Sequence, residues 1–253
     1  MLNIKDLTVR VSDKEILNKF NLSINDGEIH VLMGKNGIGK STLCKVLLKS
    51  PEYEITNGSI NYNNQDITQL KTNEVSNLGF YLIGQSPLAI EGVTTASMLR
   101  TVLSARGDKT NILKFGKELD ATCEKLGLPK SYAHKEINVG MSGGERKKLE
   151  LVQMWMLKPG FIILDEIDSG LDVDALKVVS KSLKEYYDLY HPTILMVTHH
   201  SMILKELKPD FVHIIGDGKI IKTGDYNLAL EIEDRGFNNL DKASIVSGQE
   251  DNE

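Results

Sequence analysis

The chemistry of this chain is concentrated first in nine consecutive residues, Gly34-Lys35-Asn36-Gly37-Ile38-Gly39-Lys40-Ser41-Thr42. They lie between the apolar run 29–33 and the helix-prone stretch 43–48. Glycines at these places let the backbone turn its N–H groups inward around a phosphate, and the next helix points its positive end at the same spot. Lys40 is then placed to reach the β- and γ-phosphates of a nucleoside triphosphate, and Ser41 to offer its hydroxyl to Mg²⁺. An apolar strand before the loop and a helix after it are the setting such a loop requires.

A second group lies well downstream. Ser142 with Glu145 three places later forms a capping box, which predicts a helix opening there with free N–H groups and a dipole that favours an anion. Gly143 and Gly144, within the turn, let a phosphate approach bare backbone. The run 161–164, Phe-Ile-Ile-Leu, lacks polar alternation and reads as a strand buried on both faces of a parallel sheet. Asp165 and Glu166 then sit at its carboxyl end, the edge where open α/β sheets bind ligands. Two carboxylates beside a phosphate loop are costly without a cation. We expect Asp165 to hold the Mg²⁺ shell and Glu166 to polarise an attacking water.

Taken in order, these motifs resemble the ATP-binding cassette (ABC) family. The resemblance extends to Ser169-Gly170-Leu171-Asp172, which matches the family's D-loop. It covers His199, which comes after the apolar run 194–197 and matches the switch histidine that senses the γ-phosphate. It also covers Gln85, after 80–84, which matches the Q-loop glutamine that touches metal and water. The resemblance implies an α/β ABC ATPase fold: a P-loop, RecA-like parallel sheet core with N-terminal antiparallel β strands, plus a helical subdomain. It further implies a Mg²⁺-dependent ATPase with Glu166, His199 and Gln85 as catalytic residues and Ser41, Gln85 and Asp165 at the metal. ATP contacts would come from residues 34–42 and from Ser142, Gly143 and Gly144. In the family the Ser-Gly-Gly-Glu turn completes a site on another copy of the domain. With one P-loop and no internal repeat, an ATP-dependent head-to-tail homodimer is therefore expected.

One family element is missing. The stretch Thr8-Val9-Arg10-Val11-Ser12 has no aromatic to stack on the base, which leaves Val11 or Arg10 to cover it. Stacking is worth about 1–3 kcal/mol, so modest ATP affinity and weak discrimination of the base are expected.

Within the family, the stretches Gln85 to Val93, Asn138 to Glu145 and Asp165 to Val179 resemble the SufC group, the ATPases of Suf iron–sulfur cluster assembly, with Ser86 standing where relatives commonly carry Tyr. That resemblance implies SufB- and SufD-like scaffold partners and ATP-driven shape change rather than solute movement. Two cysteines, Cys44 and Cys123, are too few to hold a cluster, which usually takes four ligands. They read as reduced core thiols. An ABC importer ATPase would use the same site and differ in its partner. A nucleotide-binding adaptor without turnover is disfavoured by the presence of Lys40, Gln85, Ser142, Glu166 and His199. A chromosome-type ATPase would need a long coiled coil, and none fits.

The bulk properties fit a catalytic domain. A length of 253 residues suffices for a full core. A net charge of −5 argues against binding along a nucleic-acid backbone. No apolar run approaches the roughly 20 residues of a membrane span. The start Met1-Leu2-Asn3-Ile4-Lys5-Asp6 lacks a leader's basic-then-apolar pattern and reads as an edge strand. A cytoplasmic location is expected. We expect a single ABC ATPase domain over 1–237, with a catalytic lobe at 1–88 and 158–237 and a helical lobe at 89–157. The helical pattern includes Met98-Leu99, Val102-Leu103 and Ile112-Leu113. Residues 238–253 form a polar C-terminal tail. His30, His134, His191, His200 and His213 show no ligand cluster in sequence.

Overall fold

The computed structural model describes residues 1–108, 111–198 and 201–237. His199 and the tail therefore lie outside the described residues.

The N-terminal strands β1 (Leu2–Val11) and β2 (Lys14–Ile24) alternate buried and exposed positions, as antiparallel strands with one wet face do. The strand β3 (Ile29–Met33) is buried throughout and delivers the chain to α1 (Lys40–Leu47). The strands β4 (Glu54–Tyr62) and β5 (Gln65–Asp66) complete an antiparallel sheet of order β2-β1-β4-β5. β1 is thus an inner strand, correcting the expectation of an edge. Single-face alternation looks the same at the edge and in the middle of a sheet with one wet face, so the pattern could not tell the two apart.

After α2 (Thr72–Asn77) and β6 (Phe80–Ile83), the chain enters the segment expected to be helical. It contains α3 (Thr95–Ala105), α4 (Ile112–Lys125) and α5 (Gly143–Leu157). It also holds a small two-stranded sheet, β7 (Ile90–Thr94) with β8 (Glu136–Ile137), that the helical reading did not anticipate. Met98-Leu99 and Val102-Leu103 pack in or against the core as expected. Ile112 and Leu113 are helical but 63% and 77% exposed; α4 instead buries Phe115, Leu119 and Cys123.

The chain then alternates β9 (Phe161–Asp165), α6 (Val173–Tyr190), β10 (Thr193–Val197), α7 (Ser201–Glu206), β11 (Phe211–Gly216), β12 (Lys219–Gly224) and α8 (Tyr226–Arg235). The main sheet has the order β12-β11-β3-β10-β9-β6. It is parallel from β11 to β6 and antiparallel only at β12. β9 and β10 are buried at every position, because both faces of the sheet are covered.

Successive residues of these strands feed two cores. Ile162, Leu164, Ile194 and Met196 face one cluster together with residues of α5 and α6. Phe161, Ile163, Leu195 and Val197 face the other, with β1, β2 and α1. Phe80 stacks on Phe161 at 4.5 Å between ring centroids, tying β6 to β9 in the second cluster. The register opposes Val197 to both Asp165 and Leu32, and Ile83 to Leu164. The carboxyl ends of four strands distant in sequence are therefore level, and the loops leaving them meet along one edge. Cys44 and Cys123 are both buried free thiols, as read from the sequence.

Candidate active site

The loop between β3 and α1 is set by two backbone constraints. Gly34 has φ 157°, and a Cβ there would lie 2.8 Å from the Ile215 carbonyl oxygen. Gly39 has φ 115° and caps α1 with no side-chain hydrogen bond. No acid sits in the helix's first turn, so its N–H groups and dipole are left to an incoming oxyanion. Lys40 is 4% exposed, and its Nζ donates to the carbonyls of Gly34 at 2.7 Å and Lys35 at 3.0 Å. Burial holds its pKa below the usual lysine value, opposed by Glu166 and Asp165.

Asp165 ends β9, and its carboxylate accepts from Ser41 Oγ at 2.9 Å. Burial raises its pKa, the Ser41 hydrogen bond lowers it and the neighbouring Glu166 charge raises it. A buried carboxylate with a hydroxyl alongside is a pair of hard oxygen donors, which suits Mg²⁺ bound jointly with phosphate oxygens. Among the described residues no cluster of three or more His, Cys, Asp and Glu side chains could hold a metal by itself.

Glu166 has φ 48°, in the left-handed region, and its N–H donates to the Val197 carbonyl at 2.9 Å. The turn aims its side chain away from the strand direction, where Gln85 Nε2 donates to Glu166 Oε2 at 3.0 Å. Thus Lys40, Ser41, Gln85, Asp165 and Glu166, expected to act together, are brought together. A groove of about 470 Å³ is lined by Lys40, Ser41, Gln85 and Glu166, with Asp165 behind it on Ser41.

Val11, rather than Arg10, lines this groove, joined by Ile16. Tyr53 lines it too, an aromatic the sequence reading passed over because it lies after α1 rather than before the loop. Its ring centroid is 5.9 Å from Lys45 Nζ.

The capping box at Ser142 forms as its spacing required. Ser142 Oγ accepts from the Glu145 N–H at 3.3 Å, and the Glu145 carboxylate accepts from the Ser142 N–H at 2.8 Å. Tyr132 donates to Glu145 at 2.6 Å, and this bond, ahead of those from Ser142, lowers the Glu145 pKa. Ser142, Gly143 and Gly144 are not part of the P-loop groove of the same chain. They pack beside the D-loop: a Cβ on Gly143 would be 3.7 Å from the Gly170 carbonyl. Asp168, in the same segment, accepts from Thr198 Oγ1 at 2.7 Å in a buried contact. That bond fixes the residue immediately before His199.

Two histidines without a ligand cluster in sequence are paired by the fold. His30 Nδ1 and His213 Nε2 are 2.9 Å apart, His30 Nε2 meets Glu28 at 2.9 Å, and His213 Nδ1 meets Thr223 Oγ1 at 2.9 Å. The contact between the two imidazoles is buried in the main sheet, the flanking contacts to Glu28 and Thr223 are part-buried, and none of the four residues lines the groove.

Among the described residues no helix is long and apolar enough to cross a membrane.

Comparison with known proteins agrees with this geometry. The ABC transporter family profile matches residues 17–169. A probable ATP-dependent transporter, ycf16, of Antithamnion sp. is 41% identical, the match covering 96% of this chain and 98% of that protein. Vegetative protein 296 of Bacillus subtilis (strain 168) is 42% identical, over 93% of this chain and 91% of that protein. In fold, the chain superposes on the ATP-binding cassette MJ0796, solved as a dimer in a post-hydrolysis state bound to ADP and Pi. The TM-score is 0.76 at 20% identity, covering 89% of this chain and 99% of that one. The chain belongs to the ABC transporter family, as one of its ATP-binding, ATP-hydrolysing cassettes.

Proposed function

We propose that this ATPase powers an iron–sulfur cluster assembly complex, closing as a head-to-tail pair on ATP and remodelling SufB- and SufD-like scaffold subunits docked on it. The observation that carries the reading is the surface next to Gln85. Leu88 is 81% exposed and Ile90 45% exposed, an apolar patch only a few residues beyond the side chain that bonds Glu166. The buried Asn138 pins this loop through its Nδ2, which donates to the Leu88 carbonyl at 2.7 Å. A partner seated there would feel any movement of Gln85. The SufC-like stretches 85–93, 138–145 and 165–179 include this loop, its support at Asn138 and the D-loop, and both cysteines are buried.

In this reading Lys40 and the α1 N-terminus hold the β- and γ-phosphates, while Ser41, Asp165 and Gln85 hold Mg²⁺. Held by these residues, Mg²⁺ would supply positive charge against the phosphates. Glu166 orients and polarises water, Gln85 fixes the Glu166 carboxylate, and His199 senses the γ-phosphate. Ser142, Gly143 and Gly144 of one copy close over the ATP of the other. Their position outside the same chain's groove supports this division.

Glu166→Gln is expected to retain ATP binding and lose turnover by about 100- to 10,000-fold; retained turnover would refute the role of Glu166. The scaffold reading is tested by affinity capture of this chain from its own cell extract with mass spectrometry. Recovery of SufB- and SufD-like proteins is expected. Several relatives are named as transporters or transporter ATP-binding proteins, which favours a second reading as a transporter ATPase. Recovery of an integral membrane permease would establish that reading instead.

A further inference from the structure

Outside the groove, a buried lysine and a largely buried glutamate meet at the junction of α5 with the end of β6. Lys147 is 2% exposed and pairs with Glu150 on the same helix at 3.3 Å. A buried ion pair is a poor means of stabilising a fold, since two apolar side chains of similar volume often do as well. Its strength lies in fixing geometry.

Here the geometry fixed is that of one peptide. Lys147 Nζ donates both to the Gly84 carbonyl oxygen and, at 3.3 Å, to the Glu150 carboxylate, so the ammonium bridges the helix to that peptide. The ladder between β6 and β9 ends at the pair Ile83 and Leu164, so Gly84 lies one residue beyond the sheet and is held by α5 instead. Tyr81 Oη reinforces the joint, donating to the Glu150 carbonyl at 3.0 Å and to Gln153 Oε1 at 3.3 Å. The next residue after Gly84 is Gln85, which bonds Glu166.

We propose that Lys147 and Glu150 are positioning residues: they clamp Gly84, seat Gln85 against Glu166, and tie that seat to the helix whose first turn is Ser142 to Glu145. A rigid α5 then moves both as one body. When a second copy engages the Ser142 turn, the shift is carried along the helix to the Gln85 side chain. The clamp rests on the catalytic roles proposed for Gln85 and Glu166.

The clamp has a titration signature. Burial raises the Glu150 carboxyl to about 7, against the pull of Lys147 and of the Gly84 backbone. The other titratable group facing it is Tyr81 on β6, whose phenol is pushed far up, first by burial and then by the Glu150 charge. Ionisation of Glu150 near neutrality engages the clamp, so turnover rises as pH passes through that region.

The test measures kcat for ATP hydrolysis from pH 6 to 9, and binding of a fluorescent ATP analogue separately, for the full chain and its variants. Glu150→Gln and Lys147→Met are expected to lower kcat about tenfold or more, with affinity within about twofold. Glu150→Gln is also expected to lose the rise near pH 7. Combined with Gln85→Ala, Glu150→Gln should add no further loss, because both act through one side chain. If a single variant does not fold, the charge-free pair Lys147→Met/Glu150→Leu replaces it, with the same expected loss of kcat. Folded variants with wild-type kcat and pH profile, or with kcat and affinity falling together, overturn the inference. If Gln85→Ala itself leaves turnover intact, the role of Gln85 is wrong and the inference falls with it. A turnover-deficient Gln85→Ala beside normal Lys147 and Glu150 variants refutes the clamp alone.

Discussion

Glu166 combines the chemical task proposed for it with a backbone conformation that a side chain disfavours, and replacing it by Ala and by Gly separates the two. Its φ of 48° places Cβ in the left-handed region, which costs about 1–2 kcal/mol for a residue other than glycine. Glycine loses about 0.5–1 kcal/mol more backbone entropy than alanine on folding. The balance leaves Glu166→Gly more stable than Glu166→Ala by roughly 0.5–1 kcal/mol, reversing the order found at ordinary positions. The hydrogen bond from the residue 166 N–H to the Val197 carbonyl, 2.9 Å in length, is available to both variants and cancels from the comparison. Thermal or urea unfolding of the nucleotide-free protein reads the difference as about 1–4 °C in Tm. Phosphate release measured in parallel should fall about 100- to 10,000-fold in both variants, since neither can polarise water. An alanine variant as stable as the glycine variant, or more so, would refute the assignment of strain to this turn.

Lys40→Ala removes the ammonium set among the P-loop carbonyls, and ATP affinity measured by equilibrium dialysis should fall about 10- to 100-fold; unchanged affinity would rule out the phosphate contact. The apolar lining of the groove, Val11, Ile16 and the ring of Tyr53, can cover a purine without reading its edge, so GTP should be hydrolysed with kcat/KM within about tenfold of ATP. A preference for ATP beyond about 100-fold would contradict a loosely read base. Burial, and then the His30 charge, push the His213 imidazole down from 6.5 to about 4. The folded state therefore binds fewer protons than the unfolded state between those values, and this contribution is full above 6.5 and fades as pH falls. Relative to His213→Phe, the wild type should lose about 2 kcal/mol of stability between pH 8 and pH 5. An equal difference at the two pH values, from urea unfolding, would show that His213 is not held neutral.

The parts of the site legible in the sequence are those encoded locally. The P-loop needs its glycines in one short run, and β9 and β10 announce themselves because strands covered on both faces cannot alternate. The capping box at Ser142 is closed by residues three apart. The features that escaped reading depend on contacts between distant residues. Nothing in the segment around Tyr53 shows that the chain leaving α1 folds back to the groove. The pairing of His30 with His213 spans 183 positions and is made only by the register of β3 with β11. The strands β7 and β8 are five and two residues long, one of them largely exposed, and carry no periodic signal amid helical sequence. Lys147 and Glu150 look, in sequence, like the polar face of an ordinary helix; only packing against β6 takes them out of water.

The interleaving of Ile162 and Leu164 with Phe161 and Ile163, and of Ile194 and Met196 with Leu195 and Val197, makes the catalytic strands the shared wall of both cores. Neither core can melt while the wall stands undisturbed, and Asp165, Glu166 and Thr198 are attached to its rim. Gradual heating should therefore not yield a partly unfolded species that still hydrolyses ATP. Activity and both halves of the interior are expected to vanish in a single cooperative step, so residual turnover in a heated sample counts native molecules.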